Sequence, residues 1–252
     1  PDEETVFLLN PGFAIRFLMR WNDWAKPEQD YDLYLFRWNV SEGLSVVASS
    51  EDFQEGEPGQ TPTEDSILET SGTDAAYGFG IQRNDSDRNV HFEVLVPQYR
   101  NLRFMFSVPE RSLPNLADAP SVVTVGAVAA ASPYDILEYS AQGPTNGPGG
   151  AVDGGFPKPD LTAYTTISTE SFGNLGFDGT STGPPHAAGA AALIKGANRC
   201  FSPLEVRAML QDRAIDMGQP GLDTLFGHGR AYLGTPSADS CHELYLPVTS
   251  GG

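Results

Sequence analysis

Ser181 stands in the run Gly179-Thr-Ser-Thr-Gly183, directly ahead of Pro184, Pro185, His186 and an alanine-rich stretch. A serine at a helix N-terminus has two chemical advantages. Unpaired amide hydrogens point toward its oxygen, and the positive end of the helix macrodipole stabilises developing negative charge. Both suit an acyl-transfer nucleophile; the competing reading is that the hydroxyl merely caps the helix. A nucleophilic serine needs a base, and the chain holds four histidines, His91, His186, His228 and His242. His186 follows Ser181 by five positions, and about 100° of rotation per residue carries it well round from the serine's face, so it reads as structural.

The elements that must hold this serine are legible on both sides of it. Residues 184–198 are apolar nearly all round, which predicts a helix buried in the core, with Pro184 and Pro185 in its first turn where a missing amide hydrogen costs little. A second helix opens at Ser202, with Pro203 at its first position and Glu205 completing a capping box; Val206, Met209 and Leu210 form its buried stripe and Gly218 its stop. Residues 121–128 form a nearly continuous apolar run, as expected of a parallel strand covered on both faces, and residues 161–167 predict another strand. Gly179-x-Ser181-x-Gly183 also fits the nucleophile elbow of α/β-hydrolases, with Asp216 or Asp223 and His228 or His242 downstream in the required order. An elbow needs a hydrophobic central strand running into the serine, and residues 171–180 are too glycine-rich and polar for one.

The first half of the chain has a different texture. Ile15, Phe17, Met19 and Trp21 alternate with Arg16 and Arg20, the pattern of a half-buried strand. Further runs at residues 30–36, 44–49, 76–82, 90–96 and 102–108 are separated by stretches rich in Gly, Pro, Asp, Ser and Thr. Short, evenly spaced strands without helices predict an antiparallel β-sandwich of the jelly-roll kind. The expected division is residues 1–112 as the sandwich, 113–236 as an α/β parallel-sheet unit, and 237–252 as a tail.

Composition narrows the partners. Across 252 residues, 33 acidic side chains against 15 basic ones give a formal net charge of −18, which repels phosphate backbones and anionic membrane surfaces. Nucleic acid and membrane are therefore not expected partners, and no stretch approaches the roughly 18 consecutive apolar residues of a membrane span. Because Pro1 is not a start methionine, the chain is expected to be cut from something longer. Cys200 and Cys241 either form a disulfide, which would suit an extracellular protein, or pack apart. Asp23, Asp30 and Asp32 offer hard carboxylates suited to a structural Ca²⁺, or else line a solvated acidic loop. Trp24 and Trp38 are candidate exposed aromatics of a binding surface.

The serine motif resembles that of the subtilisin-like serine peptidases, the subtilases, which read G-T-S-x-x-x-P-H-x-A-G before an alanine-rich helix. Gly179, Thr180, Ser181, Pro185, His186, Ala188 and Gly189 fall in place. Residues 120–145, 158–164, 202–218 and 223–234 look like successive pieces of the same fold. The chain departs from the family at residues 158–166, where Ala-Pro-Gly is usual, and at Thr182-Gly183-Pro184, where small alanine-like residues are usual. The first half resembles β-sandwich modules of the prepeptidase C-terminal type, which some subtilases carry as an insert within the catalytic domain.

The resemblance implies the C-terminal part of a serine endopeptidase acting on polypeptides through an acyl-enzyme on Ser181. Gly179, Thr180 and Phe177 would bind substrate, and Pro185, His186 and Gly189 would be structural. The family's triad runs Asp, His, Ser along the chain, so the base, its orienting carboxylate and the oxyanion asparagine would come from an upstream part of the same protease. His91, the only histidine before Ser181, lies in a strand run without a His-Gly-Thr context. No cofactor is required for such chemistry, and the location implied is secreted or extracytoplasmic. The alternative from another class is a protein- or glycan-binding β-sandwich on an inactive scaffold.

Overall fold

The structure, a computed structural model, describes residues 5–8, 14–69, 76–96 and 108–234. It divides into two compact units, one of Pro1–Pro109 with Asn146–Gly155, the other of Glu110–Thr145 with Phe156–Gly252. The architecture is mixed α/β, with antiparallel sheets in the first unit and a parallel pair in the second.

The first unit contains β1 (Thr5–Leu8), β2 (Ala14–Trp21), β3 (Tyr31–Asn39), β4 (Gly43–Ser50), β5 (Thr63–Glu69), β6 (Ala76–Arg83) and β7 (Phe92–Leu95). They form two antiparallel sheets, ordered β1-β6-β3-β4 and β5-β2-β7. The alternation read in β2 holds: Ile15, Phe17, Met19 and Trp21 are at most 2% exposed. They join Tyr31, Leu33 and Leu35 of β3, Leu68 of β5 and Tyr77 of β6 in one hydrophobic cluster that draws on both sheets. Each such side chain contributes roughly 1.5–3 kcal/mol by leaving water. The expected strands at residues 30–36, 44–49, 76–82 and 90–96 are present; the run at 102–108 falls almost wholly outside the described residues.

β5 was not expected, and its burial explains why. Glu64, Ser66 and Leu68 point inward while Ile67 is exposed, so its hydropathy runs against its facing. Glu64 is fully buried and accepts hydrogen bonds from Gln54 Nε2 at 3.0 Å and Asp52 N at 3.3 Å, with no cation among these partners. Burial raises its pKa above the ordinary 4.5, the hydrogen bonds offsetting only part of the cost of holding a charge there.

The second unit is built on β8 (Val125–Ala129) and β9 (Leu161–Thr165), paired in parallel from Val125 opposite Leu161 to Ala129 opposite Thr165. β10 (Ile167–Thr169) and β11 (Gly173–Phe177) form an antiparallel hairpin, followed by α1 (Gly183–Ala197) and α2 (Pro203–Arg213). The core joins Leu161 to Ala187, Ala190 and Ile194 of α1 and to Val206 and Leu210 of α2. The capping box forms as expected, Glu205 N donating to Ser202 Oγ at 3.3 Å and Ser202 N to Glu205 Oε2 at 2.6 Å.

Two expectations for these helices are corrected. α2 stops at Arg213, ahead of Gly218, because Ile215 pairs its backbone with Arg230 in both directions, at 3.0 and 2.9 Å. α1 buries a single stripe of Ala187, Ala190 and Ile194, with Leu193 66% exposed and Ala188, Gly189 and Ala192 also exposed.

One buried ionic knot ties this unit together. Asp160, 3% exposed, accepts from Lys158 Nζ at 2.6 Å, from Thr124 N at 2.7 Å and from the Arg207 guanidinium. Lys158, 2% exposed, also donates to Val122 O at 2.6 Å.

Asp160 and Glu64 predict opposite behaviour. Asp160→Ala leaves Lys158 buried without its counter-ion and should cost about 3–5 kcal/mol in urea unfolding; a loss below about 1 kcal/mol, the scale of a surface pair, would refute the knot's role. For Glu64 the folded pKa is raised, so its favourable contribution is complete below the unfolded pKa and is lost as pH rises through the folded one. Stability should therefore climb on acidification from neutral toward pH 4.5. Glu64→Gln should flatten that climb, and an unchanged pH slope of the melting temperature would show that Glu64 does not titrate as a buried acid.

Candidate active site

Ser181 is exposed and sits in a single 3₁₀ turn, Thr180–Thr182, between β11 and α1. The residue at the helix N-cap is Thr182, and no side chain caps α1, so the hydroxyl of Ser181 is not spent on capping. The turn begins at Gly179, whose φ of +103° lies where only glycine is at ease. Thr182 is buried, its Oγ1 donating between Tyr164 O at 2.8 Å and Gly179 O at 3.0 Å. The first helical residue presses onto β8: a Cβ added at Gly183 would lie 3.0 Å from Val125 Cγ1 and 3.2 Å from Gly126 O.

The strand entering the serine is β11, exposed along residues 173–176 and paired only with β10. It is a hairpin arm rather than the buried central strand of a nucleophile elbow. Phe177 ends it half-buried, its ring stacked on Phe172 at 4.6 Å between centroids. Asp178 follows, its Oδ1 accepting from Tyr139 Oη at 2.6 Å and from Thr165 Oγ1 and Thr166 Oγ1, each at 3.0 Å. The Tyr139 hydroxyl first, and then the backbone N–H of Gly179 and the two threonines, hold the carboxyl down at about 2. An apolar hollow of about 440 Å³, lined in part by Leu113, Val123, Val125, Ser140 and Pro184, reaches Thr180 and Ser181.

His186 does not approach the serine. Its Nδ1 lies 2.8 Å from Thr182 O, and its ring meets Tyr164 edge-on at 6.2 Å. Tyr164 in turn accepts from Arg230, whose guanidinium lies 4.1 Å over the ring of Tyr134, so His186 is packed into a cluster beneath the turn. Pro185 and Gly189 are exposed on α1, and a Cβ at Gly189 would meet nothing within 4 Å. His228 donates its backbone N–H to Asp160 O at 2.9 Å, and His91 lies in the first unit, its N–H donating to Asn22 Oδ1 at 2.7 Å. His242 and Cys241 lie outside the described residues, as does the rest of the tail from 235. Cys200 is disulfide-bonded.

Asp23, Asp30 and Asp32 are buried but are not gathered into one ligand set; among the described residues no group of three or more His, Cys, Asp or Glu side chains is placed to hold a metal ion. Asp23 accepts from Glu28 N at 2.7 Å and Gln29 N at 2.8 Å and pairs with Arg88. Asp30 accepts from Gln54 N at 3.3 Å, and burial raises its pKa; Asp32 accepts from Tyr34 Oη at 3.3 Å. Trp24 packs against the glycine loop, a Cβ at Gly150 falling 3.0 Å from its Cδ1. Trp38, 48% exposed, borders a hollow of about 40 Å³, a volume close to one water's share of liquid. No helix among the described residues is long and apolar enough to cross a membrane.

Residues 105–229 match the model of the subtilase family, and this part of the chain is a subtilisin-like peptidase sequence. The chain is 28% identical over 162 residues to the subtilisin-like protease SBT2.2 of Arabidopsis thaliana, covering 55% of this chain and 19% of that protein. In fold it is similar to the Clostridium perfringens CspB protease, with a TM-score of 0.60 and 17% identity over 92% of this chain and 53% of that one. The chain thus spans about a fifth of the plant relative and about half of the bacterial structure.

The Thr182 hydroxyl is the closest support of the serine's turn. Thr182→Val keeps the shape and removes the donor from two carbonyls, and should lower stability by about 1–3 kcal/mol. An unchanged denaturation midpoint would mean that the turn is held without it.

Proposed function

We propose that this chain is the C-terminal part of a subtilisin-like serine endopeptidase that hydrolyses peptide bonds through an acyl-enzyme on Ser181. The observation that carries this reading is an exposed, uncapped serine hydroxyl at the mouth of α1, within a segment that belongs to the subtilases. Ser181 Oγ attacks the substrate carbonyl and passes its proton to a histidine, while the serine's own backbone N–H and the N-terminal end of α1 stabilise the oxyanion. The tetrahedral intermediate then breaks its C–N bond, the histidine giving the proton to the leaving amine, and water hydrolyses the acyl-serine ester to release the acid. The histidine, its orienting aspartate and the second oxyanion donor, an asparagine, come from sequence preceding Pro1. In support, the His186 ring is turned to Thr182 O, and the family's chain order requires the base upstream. The apolar hollow beside Ser181 and the exposed apolar side of α1 are the two surfaces that further chain and a polypeptide substrate would cover.

The first unit is the inserted module, a β-sandwich of jelly-roll character, on the strength of two antiparallel sheets sharing one core. No cofactor takes part in the chemistry. A disulfide at Cys200 supports a secreted or extracytoplasmic location.

Fluorophosphonate labelling with intact-mass readout tests the reading, on this chain alone and after adding the polypeptide encoded immediately upstream. Labelling of Ser181 in the mixture only, abolished in Ser181→Ala, is expected. Labelling of the chain alone would mean that a histidine within these residues activates the serine, and silence in both would leave an inactive scaffold.

A further inference from the structure

Asp178 has no part in the peptide hydrolysis proposed above, although two separate stretches of the second unit converge on it. Tyr139 comes from the chain following β8, Thr165 from the last position of β9, and Thr166 from the link to β10. Thr165 is fully buried, and its Oγ1 also accepts from the N–H of Gly179 at 3.0 Å, so the same hydroxyl holds the carboxylate and the first residue of the serine's turn. Thr166 is a β-branched residue at a φ of +55°, a conformation that costs energy and persists only where surroundings over-determine it. Its hydroxyl ends on Asp178.

We propose that Asp178 is a positioning residue for Ser181, fixing the Gly179–Thr182 turn against the end of β9 by collecting the hydroxyls of Tyr139, Thr165 and Thr166. This rests on the peptidase reading above. Asp178 touches neither Ser181 nor any reacting atom described here; its effect passes through the backbone of Gly179. The carboxylate lies at the surface, where water competes for each hydrogen bond, so its contribution to global stability is small. Its contribution to geometry is not small, because three donors on one oxygen leave the turn little freedom to rotate, and a nucleophile displaced by an ångström loses rate steeply. The carboxyl's depressed pKa, about 2, keeps the acceptor ionised across the working range of a peptidase. An asparagine of the same size has one oxygen that could accept but no charge to strengthen the three bonds.

The test uses the complete protease that contains this chain, measuring kcat and KM on a peptide substrate well below the melting temperature of every variant. Asp178→Ala should lower kcat by about tenfold or more with KM within about twofold, the signature of a displaced nucleophile rather than of lost substrate binding. Asp178→Asn should recover part of that loss, and Tyr139→Phe should fall between Asp178→Asn and the parent. Tyr139→Phe added to Asp178→Ala should cost nothing more, since the acceptor is already gone. If Asp178→Ala fails to fold, Asp178→Asn and Tyr139→Phe carry the test through the same split of kcat from KM. Parent-like kcat in those variants, with only a lowered melting temperature, would overturn the proposal. Activity surviving in Ser181→Ala would instead overturn the peptidase reading, so the two failures are told apart.

Discussion

A carboxylate removed from water must be surrounded by donors, and among the described residues of the second unit Asp160 is the buried acid so held. Its partners come from the residue before β8 (Thr124), from the lead into β9 (Lys158) and from α2 (Arg207). Satisfying one buried charge therefore fixes three elements relative to one another, and a buried pair with unmet partners is heavily penalised. With β8 and β9 in register, Leu161 is set beneath α1, and the far end of β9 delivers Tyr164, Thr165 and Thr166 to the serine's turn. The ionic knot lies at the start of β9 and the serine's turn at its end. The strand is the rigid element between them.

The first unit solves the same problem differently. Its core is apolar across two sheets, and one of its buried acids, Glu64, is held by an amide and a backbone N–H rather than by a cation. The result is a strand whose polar side chains face inward and whose isoleucine faces water. Such a strand is kept in place by its neighbours in the sheet, Ala14 to Arg20 of β2, more than by its own hydropathy.

At the serine, three levels of structure act on one hydroxyl. Gly179 permits the backbone to turn, Thr182 buries the turn's far end, and α1 starts where Gly183 lets it press onto β8. Together they leave Ser181 exposed on a supported turn, at the positive end of a helix of fifteen residues. His186, within the motif, is used to brace the turn from below against Tyr164.

The sequence by itself determined the elements whose signals are local. The alternation of β2 and the capping box of α2 depend on residues within one strand or one helical turn, and the Gly-Thr-Ser run ahead of two prolines lies within the residues that match the subtilase model. Only the tertiary structure decided the rest. Asp178 and Tyr139 are 39 positions apart and carry no pattern that joins them. β5 has its facing set by partner strands, α2 is cut short at Arg213 by pairing with Arg230, and the three aspartates that looked like one site are engaged by separate partners. Each of these is a long-range contact, and hydrogen bonds and burial across the fold leave no periodicity in the chain for composition or spacing to reveal.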